Sequence, residues 1–183
     1  LAEEHGFLVV YPSGFEDHWN DCRRGLADTT DALNVNDVGY FATVRDRLVS
    51  QYNVDLSRIF ALGMSNGGHM AYRLAVESPD DYAAIAVIAA SLPTEDKFQC
   101  ESVGHPISIM ILTGTTDPIN PYEGGMVNIF GQEERGTVRS ARDSADYFSQ
   151  LAGYADEPLV VAYPDLNTQD KSTASALVWQ ADG

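Results

Sequence analysis

The sequence predicts an α/β domain, a mainly parallel sheet covered by helices on both faces. Three observations predict it. Short apolar runs alternate with segments of helical period along the chain. One of those runs, Ile59 to Leu62, leads through a tight turn into a helix-compatible segment from Asn66 to about Glu77. The chain has 183 residues, 44% of them hydrophobic, enough for one domain with its own core. Residues 1–183 read as a single domain, without internal repeat or low-complexity tract.

Leu1 to His5 reads as the last turn of a helix, with Gly6 as its C-cap. Phe7 to Tyr11 is an apolar run closed by Pro12-Ser13-Gly14, the pattern of a buried strand and a turn. Phe15 to Thr30 reads as a long, mobile loop, and loops of that length often carry function. Asn36 caps a helix running to about Tyr52, whose apolar face is Val38, Phe41, Val44, Leu48 and Tyr52. Tyr82 to Ala90 and Ile107 to Leu112 are strands, separated by a loop that carries Cys100. Tyr122 to Gly136 is glycine-rich and irregular. Thr137 to Ala152 is a helix with Val138, Ala141, Ala145, Phe148 and Leu151 on one face, ended by Gly153. Glu157 to Tyr163 and Ala174 to Trp179 are two short strand candidates.

The turn after Leu62 contains G-x-S-x-G at Gly63, Ser65 and Gly67. Between a strand and a helix this pattern forms a nucleophile elbow, which lifts a serine hydroxyl clear of the sheet edge. The sharpness of the turn predicts that Gly63 and Gly67 must both lack a Cβ. The helix that follows aims its free N–H groups and positive dipole end at a reacting carbonyl. The competing account is a glycine-rich connection with an incidental serine. A serine nucleophile needs a histidine to take its proton and a carboxylate to orient that histidine. Asp117 suits the carboxylate role, because it follows the strand Ile107 to Leu112 in a Gly-Thr-Thr-Asp-Pro turn. An aspartate that only shapes the turn would look the same. One oxyanion donor is expected to be the N–H of Asn66.

The four histidines, His5, His18, His69 and His105, all precede Asp117. His69 lies four residues beyond Ser65 along the elbow helix, and His105 enters its strand from the far end. His18 has a loop route to the pocket rim. The expectation is that none of them serves as the base, which is placed beyond Gly183, and that the second oxyanion donor lies before Leu1. Both ends of the chain look cut.

A net charge of -16 argues against nucleic acid or an anionic membrane as partner. No run reaches the length of about 18 apolar residues that a membrane helix needs. The two cysteines, Cys22 and Cys100, form no C-x-x-C pair, so neither a metal nor a redox motif is expected, and no cofactor. One disulfide or two free thiols both remain open on this evidence.

Five segments occur in a shared order and spacing: Gly6-Phe7-Leu8-Val9-Val10-Tyr11-Pro12, Asn36-Asp37-Val38-Gly39-Tyr40-Phe41, Tyr52 to Phe60, Gly63-Met64-Ser65-Asn66-Gly67-Gly68 and Gly114-Thr115-Thr116-Asp117-Pro118. In these the chain resembles the polyhydroxybutyrate depolymerase-like esterases, secreted enzymes of the α/β-hydrolase fold grouped with feruloyl and acetyl xylan esterases. The resemblance implies Ser65 as nucleophile, Asp117 as triad acid, and Trp19 and Tyr122 at the substrate cleft. It implies an ester substrate of small-molecule, polysaccharide-linked or polyester type, and an extracellular location. With that location, Cys22 and Cys100 are expected to form a disulfide. Members carry a His-Gly-Gly type strand end upstream and a Gly-Gly-His-Thr-Trp-like segment downstream. Neither occurs in residues 1–183. A second reading is a non-catalytic scaffold of the same fold that binds an ester or polysaccharide without turnover. A peptidase of this fold is a third.

Overall fold

In the computed structural model, which describes residues 2–26, 29–129 and 135–180, three parallel strands carry the site. β1 (Phe60–Met64), β2 (Ala84–Ile88) and β3 (Ser108–Leu112) lie side by side in that order, with Met64, Ile88 and Leu112 in register at their carboxyl ends. Around them run α1 (Ala2–His5), α2 (Thr29–Ala32), α3 (Asp37–Gln51), α4 (Asn66–Glu77) and α5 (Ala141–Leu151). Two further strand pairs stand apart from the sheet: β4 (Gly125–Met126) with β5 (Thr137–Val138), and β6 (Leu159–Ala162) with β7 (Ser175–Val178).

The core lies between the sheet and α4. Met70, Tyr72, Leu74 and Val76 are fully buried against Ile85 and Val87, and Phe148 of α5 closes the cluster. Each such side chain contributes roughly 1.5–3 kcal/mol by leaving water. Tyr72 stacks on Phe148 at 5.8 Å between ring centroids. Val38 and Phe41 of α3 pack against the same cluster. Asn36 caps α3 as expected, accepting from the Gly39 N–H at 2.9 Å.

Three expectations change. Helical cover is found on one sheet face only, among the described residues. Phe60, Leu62, Met64, Met110 and Leu112, on the other face, are exposed. The strands are apolar on both faces, which is the pattern of a doubly covered sheet and the reason for the expectation. Phe7 to Tyr11 forms no strand and every residue of it is exposed, from 44% at Val10 to 89% at Tyr11. A strand exists only where a neighbour accepts its ladder, and neither β1 nor β3 pairs with this run. The two late strand candidates form as read, as β6 and β7, and pair antiparallel with each other apart from the parallel sheet. Finally, α5 starts at Ala141: the Ser140 hydroxyl accepts from the Asp143 N–H, and Thr137-Val138 before it are extended. Val138 is buried, as its apolar character implies, but from a strand. α1 ends at Gly6 with φ +65, as read; Leu1, part of that expectation, lies outside the described residues.

Candidate active site

Ser65 follows β1 directly and precedes the first residue of α4. Its φ of 53 and ψ of −120 fall where non-glycine residues are rarely found. Two backbone hydrogen bonds hold it there: Ser65 N–H donates to the Ile88 carbonyl and His69 N–H to the Ser65 carbonyl, both at 2.9 Å. The side chain makes no capping bond to the helix and is exposed, so the hydroxyl is not engaged in capping the helix it begins. Gly63 is required, since a Cβ there would overlap the Gly67 carbonyl. Gly67 is not required on that ground, since a Cβ there meets nothing within 4 Å. The second crowded position of the motif is Gly68, where a Cβ would stand 2.9 Å from the Ala90 Cβ and 3.0 Å from the Ile88 carbonyl oxygen. The expectation for Gly67 is thereby corrected.

Asp117 lies five positions past β3, at the same sheet edge as Ser65, with β2 between them. Two strand spacings put the two chain exits about 10 Å apart across the sheet. Asp117 Oδ1 accepts from Ile119 N–H at 2.8 Å and Asn120 N–H at 3.0 Å. The aspartate therefore does shape its turn, while Oδ2 takes no part in those bonds. Asn120, which is buried, donates from Nδ2 to Ser91 Oγ at 3.2 Å, tying the acid turn to the chain that leaves β2.

Trp19 is joined to the elbow. Its N–H donates to Asn66 Oδ1 at 2.9 Å, and Asn66 Nδ2 donates to its carbonyl at 3.2 Å. Its ring packs on Phe41 at 5.1 Å and Tyr40 at 6.3 Å. The Tyr122 carbonyl accepts from Ala141 N–H at the start of α5; among the described residues no hydrogen bond or ring contact joins the Tyr122 ring to the elbow.

Residues 20–23 correct the reading of a mobile loop, for all four are buried. Asn20 N–H donates to Asp37 Oδ2 at 2.7 Å, and Arg73 Nη1 to the Asn20 carbonyl at 2.7 Å. Cys22 and Cys100 form the expected disulfide, 78 residues apart. A cross-link closing a loop of that size stabilises by roughly 4 kcal/mol in the chain-entropy account. Arg23 binds Asp21 through Nε and Nη2, the shorter bond being 2.6 Å. Burial alone would raise the Asp21 carboxyl, but the Arg23 guanidinium outweighs it and holds the group below its ordinary range. Sequence reasoning missed this pair. The only signal was two opposite charges flanking a cysteine, and that says nothing about depth.

The histidines are held as follows. His69, in the first turn of α4, is buried on that helix's inner side, facing the Ser91 carbonyl; Nδ1 has no hydrogen-bond partner. Burial, with Arg23 close by, lowers its pKa to about 3, so the ring is neutral at neutral pH. His18 Nε2 lies 3.3 Å from Arg135 Nη1, and His105 Nδ1 lies 2.8 Å from Asp80 Oδ2 on the surface. His5 lies beside Glu4 at 4.0 Å. Among the described residues no histidine is hydrogen-bonded to Ser65 Oγ, and no group of His, Cys, Asp and Glu side chains could hold a metal ion.

A parallel sheet with a strained serine at its carboxyl edge, an aspartate turn on the same edge and a helix opening at the serine is the layout of an α/β-hydrolase-like esterase core. The chain belongs to the esterase PHB depolymerase family, whose model matches residues 1–123. It is 31% identical over 163 residues to "Putative esterase NocK" of Nocardia uniformis subsp. tsuyamanensis, covering 85% of this chain and 45% of that protein. It is 29% identical to feruloyl esterase C of Emericella nidulans, over 65% of this chain and 38% of the relative. To the poly(3-hydroxybutyrate) depolymerase of Ralstonia pickettii it is 23% identical, over 78% and 29%. The chain spans less than half the length of each of these relatives.

Proposed function

We propose that the protein is a serine carboxylic ester hydrolase working through an acyl-enzyme. The observation that carries this is Ser65: an uncapped, exposed hydroxyl in strained backbone, at a helix N-terminus, in a family of esterases. Ser65 Oγ attacks the ester carbonyl, and the Asn66 N–H stabilises the oxyanion. Asp117 orients the histidine that takes the serine proton and returns it to the leaving alcohol. Among the described residues none of the four histidines is hydrogen-bonded to Ser65, so the base is assigned to the whole protein outside residues 1–183. The second oxyanion donor is assigned in the same way. Collapse of the first tetrahedral intermediate breaks the C–O bond and leaves the acyl group on Ser65. Water, activated by the same histidine, then releases the acid.

Substrates are assigned among feruloyl, acetyl and hydroxyacyl esters, on polysaccharides or as polyesters. The relatives' names support that range, and the Trp19, Tyr40 and Phe41 rings beside the elbow favour an aromatic acyl group. Tyr122 is assigned to the cleft by the family resemblance. The disulfide supports an extracellular location.

The test is hydrolysis of p-nitrophenyl acetate and methyl ferulate by the whole protein. Ser65→Ala is expected to remove activity by a factor on the order of 10⁶. Binding of either ester without turnover would favour the non-catalytic scaffold, and turnover retained in Ser65→Ala would refute the assignment.

A further inference from the structure

Beside the elbow lies a polar device that the proposed reaction has not used. Asn66 presents its main-chain N–H as the first of α4. Its side chain is turned back and joined to both main-chain polar groups of Trp19, as donor and as acceptor. The same Nδ2 also donates to Asp21 Oδ2 at 3.0 Å. Asp21 is 1% exposed, and both of its oxygens are held by Arg23.

A carboxylate can only accept. Asp21 therefore dictates which end of the Asn66 amide faces it, and Oδ1 is left to take the Trp19 N–H. Arg23 is fixed in turn: its Nη1 donates to the Arg135 carbonyl at 2.8 Å, and Gln99 Nε2 donates to the carbonyls of Asp21 and Arg23 at 3.0 and 3.1 Å. The Cys22–Cys100 bond sits next to this pair in the chain. One amide thus connects the residue after Ser65 to both main-chain polar groups of Trp19, whose ring packs on Tyr40, Phe41 and the core cluster.

Resting on the esterase reading above, we propose that Asn66 and Asp21 are positioning residues that set the Trp19 ring and the Asn66 N–H relative to Ser65, and thereby select between bulky aromatic and small acyl groups. A network that only stabilised the fold would have no need to end on the residue after the serine. Nor would it need to hold both main-chain polar groups of a residue that brings an aromatic ring to this loop. Displacements of about 1 Å in such a site change rates by up to about 100-fold.

The test uses the whole protein, with methyl ferulate and p-nitrophenyl acetate as substrates and a fluorophosphonate as a label for Ser65. Asn66→Asp keeps the shape but turns a second acceptor toward Asp21. The ratio of kcat/KM for methyl ferulate to that for p-nitrophenyl acetate is expected to fall about tenfold, and labelling to slow by a similar factor. Asn66→Ala is expected to shift both in the same direction by less, and carries the test if Asn66→Asp does not fold. Variants with a lower melting temperature but an unchanged ratio would overturn the proposal and leave only a structural role. Wild-type protein that is neither labelled nor active sinks the esterase reading and this proposal with it. Wild-type protein that is labelled and active, with the ratio unmoved in the variants, sinks this proposal alone.

Discussion

Ser65 leaves β1 in a backbone conformation that an ordinary residue avoids, and the surrounding chain is held to it from several sides. Gly63 and Gly68 make room for the turn, Asn66 clamps the neighbouring loop, and a buried ion pair and a disulfide anchor that loop from behind. Asp117 leaves β3 in a turn that its own carboxylate closes, with Asn120 as a buried tie. The difference follows from the chemistry proposed for each end. A nucleophile must be raised against its conformational preference, so strain has to be imposed from outside. An acid that only orients a histidine needs a fixed oxygen, which local turn chemistry supplies.

That contrast breaks most sharply at Asp117. Asn at this position keeps an Oδ1 to accept from Ile119 and Asn120, so the turn should survive. The carboxylate that would stabilise a charged histidine is lost. Asp117→Asn is expected to lower kcat of the whole protein by about 10⁴, while its unfolding free energy stays within about 0.5 kcal/mol of wild type. Paired kinetics and unfolding curves check this. A large loss of stability with activity intact would reverse the roles assigned to the turn.

At the nucleophile end the strain is in the backbone, and two glycines of one motif should behave oppositely. Gly63→Ala drives a Cβ into the Gly67 carbonyl, backbone that cannot yield cheaply, and should cost about 3 kcal/mol or more. Gly67→Ala meets open space in the first turn of α4 and should be neutral, or stabilise by up to about 1 kcal/mol. Urea unfolding of the two variants side by side measures the difference. Equal losses would show that the motif is constrained by something other than this contact.

The same contrast explains what could be read from the chain before folding. Gly63-Met64-Ser65-Asn66-Gly67-Gly68 is legible because strand, turn and helix are all local, and α4 runs over the predicted residues. The Asn36 cap, the Gly6 and Gly153 helix ends and the three parallel strands are legible for the same reason. Phe7 to Tyr11 was misread because an apolar run states a preference for burial but not the presence of a partner strand. Thr137-Val138 was misread because Val138 falls at helical spacing from Ala141, and only the Ser140 cap tells where the helix begins. The burial of Asp21 and Arg23 in their loop, and of His69 in α4, was out of reach, since charged and polar residues ordinarily face water. Gly67 and Gly68 are distinguished only by what stands opposite them, which spacing does not record.

The smallest effect lies in the first turn of α4, where a titratable ring is buried. His69 titrates at about 3 in the folded chain, against about 6.5 when unfolded. Between those values the unfolded chain binds a proton that the folded chain does not. Stability therefore rises with pH across the window, and falls as the pH drops below about 6.5, by roughly 1.4 kcal/mol per unit once well below it. Two neighbours act differently. Asp21, held low by Arg23, adds acid loss only below about 3.8. Asp37, raised by burial, opposes the trend just above that value, since its folded form keeps its proton longer. From pH 7 to pH 5 the His69 contribution should dominate, with a wild-type loss of about 2 kcal/mol. His69→Gln removes the titration and should flatten that slope, whatever its stability at pH 7. Urea midpoints at both pH values read the two slopes. A wild-type slope near zero, or one that His69→Gln leaves unchanged, would show that the ring is not buried in its neutral form.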